Sequence, residues 1–315
     1  VKLRRAYVAG LAGLTLLAGC STPGASPLPT LGPSFTMPAT TIPDAMTPRE
    51  CAARGGDQPT VMACMAPYLE AMYAQVYAPL VTQRGVEWAP PKLVYPTADQ
   101  GAQTACGAVT RPAYCPDDAT VVLPLTRITE YADSGADLLL RIRETWVDGD
   151  VMYRYVDVPE DELRSSSPFG LVTAFAHEYA HHVQTLTGGL DRIEYLADED
   201  PDNQNAYLST LELHADCLSG WATNVASTDT LDDAQEFGVV AVMIAIGDDY
   251  GALAARETPS DPLTYQHGSI EERTQAYLAG YRSADTAQDP FALCIDTVKP
   301  VLKERLDGNG GNTPE

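Results

Sequence analysis

The chain has 315 residues, seven cysteines and a formal net charge of −23. So acidic a surface repels phosphate backbones and anionic head groups, which excludes nucleic acid as a partner and any membrane contact made through basic residues. The acidic runs Asp198-Glu199-Asp200 and Asp232-Asp233 lack the ligand spacing of a calcium loop and are read as solvated loops or helix starts.

Lys2, Arg4 and Arg5 precede an apolar run from Ala6 to Gly19, too short to span a bilayer and patterned as an export leader. The run ends in Leu17-Ala18-Gly19-Cys20, which resembles the bacterial lipobox. That resemblance implies removal of residues 1–19, leaving a charge of −26, and lipidation of Cys20. The expectation is therefore an extracytoplasmic protein, lipid-anchored to a bacterial cell membrane by acyl chains and not spanning it. Residues 20–47, rich in Pro, Ser and Thr with few large apolar side chains, cannot bury enough surface to fold and are read as a disordered tether. No second such stretch interrupts 48–306, which is read as one domain, and the Gly- and Asn-rich 307–315 is read as a disordered tail.

Six cysteines remain: Cys51, Cys64, Cys106, Cys115, Cys217 and Cys294. An even count in an exported chain predicts disulfides. Sequence neighbours suggest 51 with 64 and 106 with 115, leaving 217 for 294.

Met62, Met65, Leu69, Met72, Tyr73 and Val76 recur at three- and four-residue intervals and predict an amphipathic helix over Pro59–Leu80. Short apolar runs at 92–95 and 120–123, bounded by prolines, predict strands, with a hairpin or clipped loop at Cys106-Gly107 and Tyr114-Cys115-Pro116 between them. An edge position for Val121–Leu123 would let its backbone hold an extended peptide; otherwise it belongs to a small sheet. A helix is expected from Leu125 to Asp150, with Leu138, Leu139, Leu140, Ile142 and Trp146 as core, and a strand over Tyr153–Val158.

Ser165-Ser166-Ser167-Pro168 supplies hydroxyl caps and a first-turn proline for a helix running to Leu186 and closed by Gly188-Gly189. This helix carries His177-Glu178-Tyr179-Ala180-His181-His182, three of the five histidines of the chain. His177 and His181, one turn apart on one face, can reach a single metal ion, and Glu178 can stand beside it as a base. A catalytic zinc needs a third protein ligand. On a helix expected over Gln204–Val225, Glu212 and Asp216 share a face, so one can bind the metal while the other accepts the remaining N–H of a ligating histidine. Glu212 is favoured as the ligand over His182, His214 and Asp216. The alternative is an acidic helix face with Ser209 and Glu212 as a capping box. Further on, 237–246 predicts a buried helix, and Ser269 with Glu272 starts a helix through Tyr281. His267, just before it, either donates to an oxyanion in the metal cleft or packs in the loop; Arg273 is read as a structural ion-pair partner.

The motifs Thr104-Ala105-Cys106-Gly107, Tyr114-Cys115-Pro116-Asp117-Asp118, His177 through Gln184, Glu212 through Cys217, Ile246-Gly247-Asp248-Asp249 and His267-Gly268-Ser269 resemble, in order and spacing, the bacterial putative neutral zinc metallopeptidase family, from about Glu87 to Tyr281. The resemblance implies a gluzincin with His177, His181 and Glu212 as Zn2+ ligands and Glu178 as base. Tyr179-Ala180 and His214 depart from the family's common residues without touching a ligand. The expected fold is α+β, mainly helical, a zincin-like metallopeptidase domain with a small sheet. The expected function is a membrane-anchored zinc metalloendopeptidase acting on a peptide or protein substrate. Its rival is a non-catalytic surface lipoprotein, a binding or assembly factor that uses the metal site as a structural staple.

Overall fold

The methionines and aromatics spaced through 62–76 line the buried flank of helix α2 (Gln58–Thr82), with a narrow exposed stripe at Thr60, Ala63, Pro67 and Glu70 opposite. The computed structural model describes residues 7–8, 35, 37–41, 43–96, 101–142, 159–226, 233–283 and 289–310. Helix α1 (Pro48–Arg54) opens on a capping box between Thr47 and Glu50, and the Cys51–Cys64 bridge clamps it to α2. Upstream, within the stretch expected to be a free tether, Phe35 is buried against Trp221 and the Thr41 amide donates to Gln75 Oε1 at 2.7 Å. Those residues are laid on the domain.

Six three- and two-residue strands form two small sheets. Strands β5 (Ala113–Cys115) and β6 (Thr120–Val122) make an antiparallel hairpin, and β2 (Lys92–Val94) pairs parallel to β6. Residues Tyr7–Val8, β1, pair antiparallel to the outer side of β5. The order β1-β5-β6-β2 puts β6 inside the sheet, hydrogen-bonded on both sides. Of the two readings of Val121–Leu123, the small sheet is the one found: β6 has a strand on each side and no open side for an added peptide. A separate ribbon, β3 (Ala102–Thr104) with β4 (Gly107–Val109), is tied to β5 by the Cys106–Cys115 bridge.

The rest is helical. Helix α3 spans Leu125–Ile142, α4 Glu160–Ser165, α5 Gly170–Leu186, α6 Gly189–Glu199, α7 Gln204–Ala226, α8 Asp233–Ala245, α9 Tyr250–Ala255, α10 Ile270–Ser283 and α11 Pro290–Gly310. Trp146 and the strand expected at Tyr153–Val158 lie outside the described residues. The approach to α5 differs from the expected hydroxyl cap: Ser167–Phe169 forms a 3₁₀ turn around Pro168 that leads straight into Gly170, with no side-chain cap. Gly188, at φ +74°, ends α5 in the left-handed conformation that glycine adopts without a Cβ penalty, and α6 follows at once. Helix α11 continues to Gly310, past Leu306 where a disordered tail was expected, and Lys303 and Asp307 pair one turn apart on it.

Helix α5 is the axis of the domain; every residue from Gly170 to Gln184 is buried. On one side Phe175 and Tyr179 stack with Tyr73 and Tyr77 of α2, and the Tyr77 hydroxyl donates to Ala176 O at 3.0 Å. Helices α7 and α8 cover other faces, the latter apolar on all sides from Phe237 to Ile244. No described helix is long and apolar enough to cross a membrane. Helices α7 and α10 touch backbone to backbone. A Cβ on Gly220 would stand 1.9 Å from Tyr277 O, and one on Gly280 1.9 Å from Cys217 O. Only glycine permits that crossing. It brings Asp216 of α7 against Arg273 of α10, while the Cys217–Cys294 bridge pins α11 to the same turn.

Candidate metal centre

Because α5 and α7 pack side by side, residues four apart on each helix converge between them. His177 Nε2 and His181 Nε2 are 3.0 Å apart. Glu212 closes the group, Oε2 at 3.3 Å from His177 Nε2 and Oε1 at 3.5 Å from His181 Nε2. One donor atom from each of the three lies within 4.8 Å of the others, and all three residues are buried. Burial opposes the charge on Glu212, but the adjacent imidazoles hold its carboxyl well below the usual carboxylate range.

The second carboxylate of α7 supports the first. Asp216 Oδ1 lies 2.8 Å from His177 Nδ1, an ion-pair contact on the side of the ring away from Glu212. Arg273 grips both oxygens of Asp216 at 2.9 Å, and its Nη2 is 3.7 Å from Glu212. Asp216 and Arg273 are both 0% exposed, so the charge of each is offset by protein groups: Arg273 by Asp216 and Glu212, Asp216 by Arg273. Arg273 is thus the structural ion-pair partner that its helical position suggested, and its carboxylate is the one orienting a ligand.

Glu178 is buried, its Oε2 has no hydrogen-bond partner, and burial pushes its pKa up to about 6. That is a carboxylate held ready for a proton. The remaining histidines are placed elsewhere. His182 donates from Nε2 to Ala89 O at 2.6 Å and takes the Tyr114 hydroxyl at Nδ1, 3.1 Å away, so its two nitrogens fix α5 to the segment before β2 and to β5. His214 points from α7 toward Phe291 of α11, and burial depresses its pKa to about 4. Neither joins the cluster.

His267 sits in the loop before α10. Asp248 holds it from two sides, Oδ1 at 2.9 Å from its Nδ1 and Oδ2 accepting its backbone N–H at 2.7 Å. The adjoining Gly268 packs on Leu213 and Arg273. Burial opposes a charged His267, but its bond to Asp248 and the charge of Glu212 outweigh it and raise its pKa. Two residues went unassigned in the sequence. Asp248 had no recognisable spacing to His267, 19 residues on. Gln184 contacts His181 one turn down α5, where i, i+3 spacing was the available signal.

Two imidazole nitrogens and a carboxylate, facing one another inside the protein, suit a cation held between them. Two nitrogens and one oxygen from three residues are the donor set of a mononuclear zinc site with a position left for water, and the residues present fit that ion. The small sheet, the helices and this centre give a zincin-like α+β fold whose ligands follow the gluzincin pattern of His177, His181 and Glu212. Residues 148–291 match the family described as putative neutral zinc metallopeptidase, a span that holds the motifs at 177–184, 212–217, 246–249 and 267–269 but not those at 104–107 and 114–118.

Among curated proteins the chain is 28% identical over 191 residues to the uncharacterized protein YpfJ of Escherichia coli (strain K12), covering 59% of this chain and 56% of that one. It is 34% identical over 135 residues to the uncharacterized protein Rv2575 of Mycobacterium tuberculosis (strain ATCC 25618 / H37Rv), covering 38% and 43%. The chain thus spans about half the length of the curated relatives it matches. No solved structure matches it.

Proposed function

We propose that this protein is a zinc-dependent endopeptidase tethered to the outer face of a bacterial membrane. The observation that carries the reading is the convergence of His177, His181 and Glu212 beside a buried carboxylate, Glu178, whose Oε2 has no hydrogen-bond partner among the described residues. Held by His177, His181 and Glu212, a zinc ion would supply Lewis-acid polarisation of the scissile carbonyl and lower the pKa of water to about 7. Glu178 takes the proton of the attacking water and delivers it to the leaving amine. Asp216 keeps the His177 ring in register, and Arg273, 2.9 Å from both its oxygens, keeps Asp216 in place. His267, oriented by Asp248, donates a hydrogen bond to the developing oxyanion.

A randomised peptide mixture incubated with zinc-loaded protein should be cleaved, and the same mixture with chelated protein should not. A second reading rests on the burial of all three ligands, 2–4% exposed: the metal is a structural staple in a non-catalytic surface lipoprotein. Absence of cleavage under every zinc condition, with chelation melting the fold, would decide for the staple.

The basic, apolar and small-residue order ending at Cys20 supports a lipid anchor, and three disulfides among the described residues suit an oxidising compartment. Residues 20–47 then lead from the anchor to the catalytic domain at 48–306, with Phe35 and Thr41 of that stretch laid on the domain. In a bacterial host, Cys20→Ala should move the protein from the washed membrane fraction to the soluble one; an unchanged distribution would remove the anchor from the proposal.

A further inference from the structure

Gln184 is 2% exposed and uses every polar atom of its side chain on named partners. Its Oε1 is 2.8 Å from His181 Nδ1; its Nε2 is 2.9 Å from Leu211 O and 3.1 Å from His214 Nδ1. The backbone carbonyl of Leu211 can only accept, so the amide must turn its NH2 group toward it and its oxygen toward His181. An oxygen there can only accept as well, which places a proton on His181 Nδ1 and leaves the lone pair of the ring on Nε2, the atom facing His177 and Glu212. The second N–H of Gln184 falls on His214 Nδ1, which must therefore be bare. His214, packed on Phe291, completes the lock on the amide.

We infer that Gln184 is a positioning residue which fixes the tautomer of His181 for metal binding, and that Leu211 O and His214 Nδ1 together fix the orientation of Gln184. The inference rests on the metal-centre reading and adds to it. His177 is oriented by a charged group, Asp216, and His181 by a neutral amide whose own direction is set from α7. The two ligands are therefore aligned by different means. Gln184 itself touches neither substrate nor metal.

Two measurements on the full chain test this. In the zinc-free protein, nitrogen-15 NMR of the histidine rings should find a proton on His181 Nδ1; a bare Nδ1 overturns the inference without any variant. Zn2+ affinity, read by competition with a chromophoric chelator, should fall about 10- to 100-fold in Gln184→Leu, the scale expected when a ligand's outer hydrogen bond is lost. His214→Leu, which leaves Gln184 and its contact with His181 Nδ1 in place, should lose less than Gln184→Leu does. Equal affinity in the wild-type and Gln184→Leu chains would sink the positioning role. If the wild-type chain takes up no Zn2+, the metal-centre reading fails, and the NMR result still decides which nitrogen of His181 carries the proton beside Gln184.

Discussion

The Glu178→Gln chain binds zinc as the wild type does, unfolds at the same denaturant concentration, and hydrolyses peptides about 100-fold more slowly or worse, the cost of losing a general base. Three features set this expectation. The ligands His177, His181 and Glu212 are untouched, so metal uptake is preserved. Glutamine has the size of glutamate, so the buried position stays filled. Glu178 Oε2 has no hydrogen-bond partner, so the amide breaks no existing bond, yet it cannot accept a proton at neutral pH. Zinc stoichiometry, an unfolding curve and a peptide assay on one preparation are sufficient. Undiminished cleavage would remove Glu178 from the mechanism; lost zinc would show that its carboxylate helps to hold the ion.

The parts of this site that were legible in the sequence are those in which the chemistry lies along one helix. His177 with His181, and Glu212 with Asp216, share faces because residues four apart always do. The long apolar runs of α2 and α8 declared themselves by their spacing and length. What depended on contacts between elements stayed hidden. Strands of three residues carry no pairing information, so the interior place of β6 emerges only when β2 and β5 flank it. The amide of Gln184 acquires a direction only from Leu211 and His214 on another helix. The position of Arg273 was readable, but its complete burial was not, because it depends on the glycine crossing of α7 over α10.

That burial makes Arg273 the most exacting position outside the ligands. In Arg273→Met the guanidinium is lost while a similar volume remains, so the cavity term is small and the electrostatic one is exposed. Asp216, fully buried, keeps the His177 ring as its partner and loses both 2.9 Å contacts to Arg273. Removing one member of a buried pair costs about 3–5 kcal/mol. The midpoint of urea unfolding should drop accordingly at constant slope. Arg273→Lys should fail to restore it, because a point charge cannot bond both oxygens of Asp216 at once. The double variant Arg273→Met with Asp216→Leu should lose less than the two single losses combined, since no orphaned carboxylate remains. Additive losses would mean that Arg273 stabilises α10 by packing alone, and that Asp216 orients His177 without it.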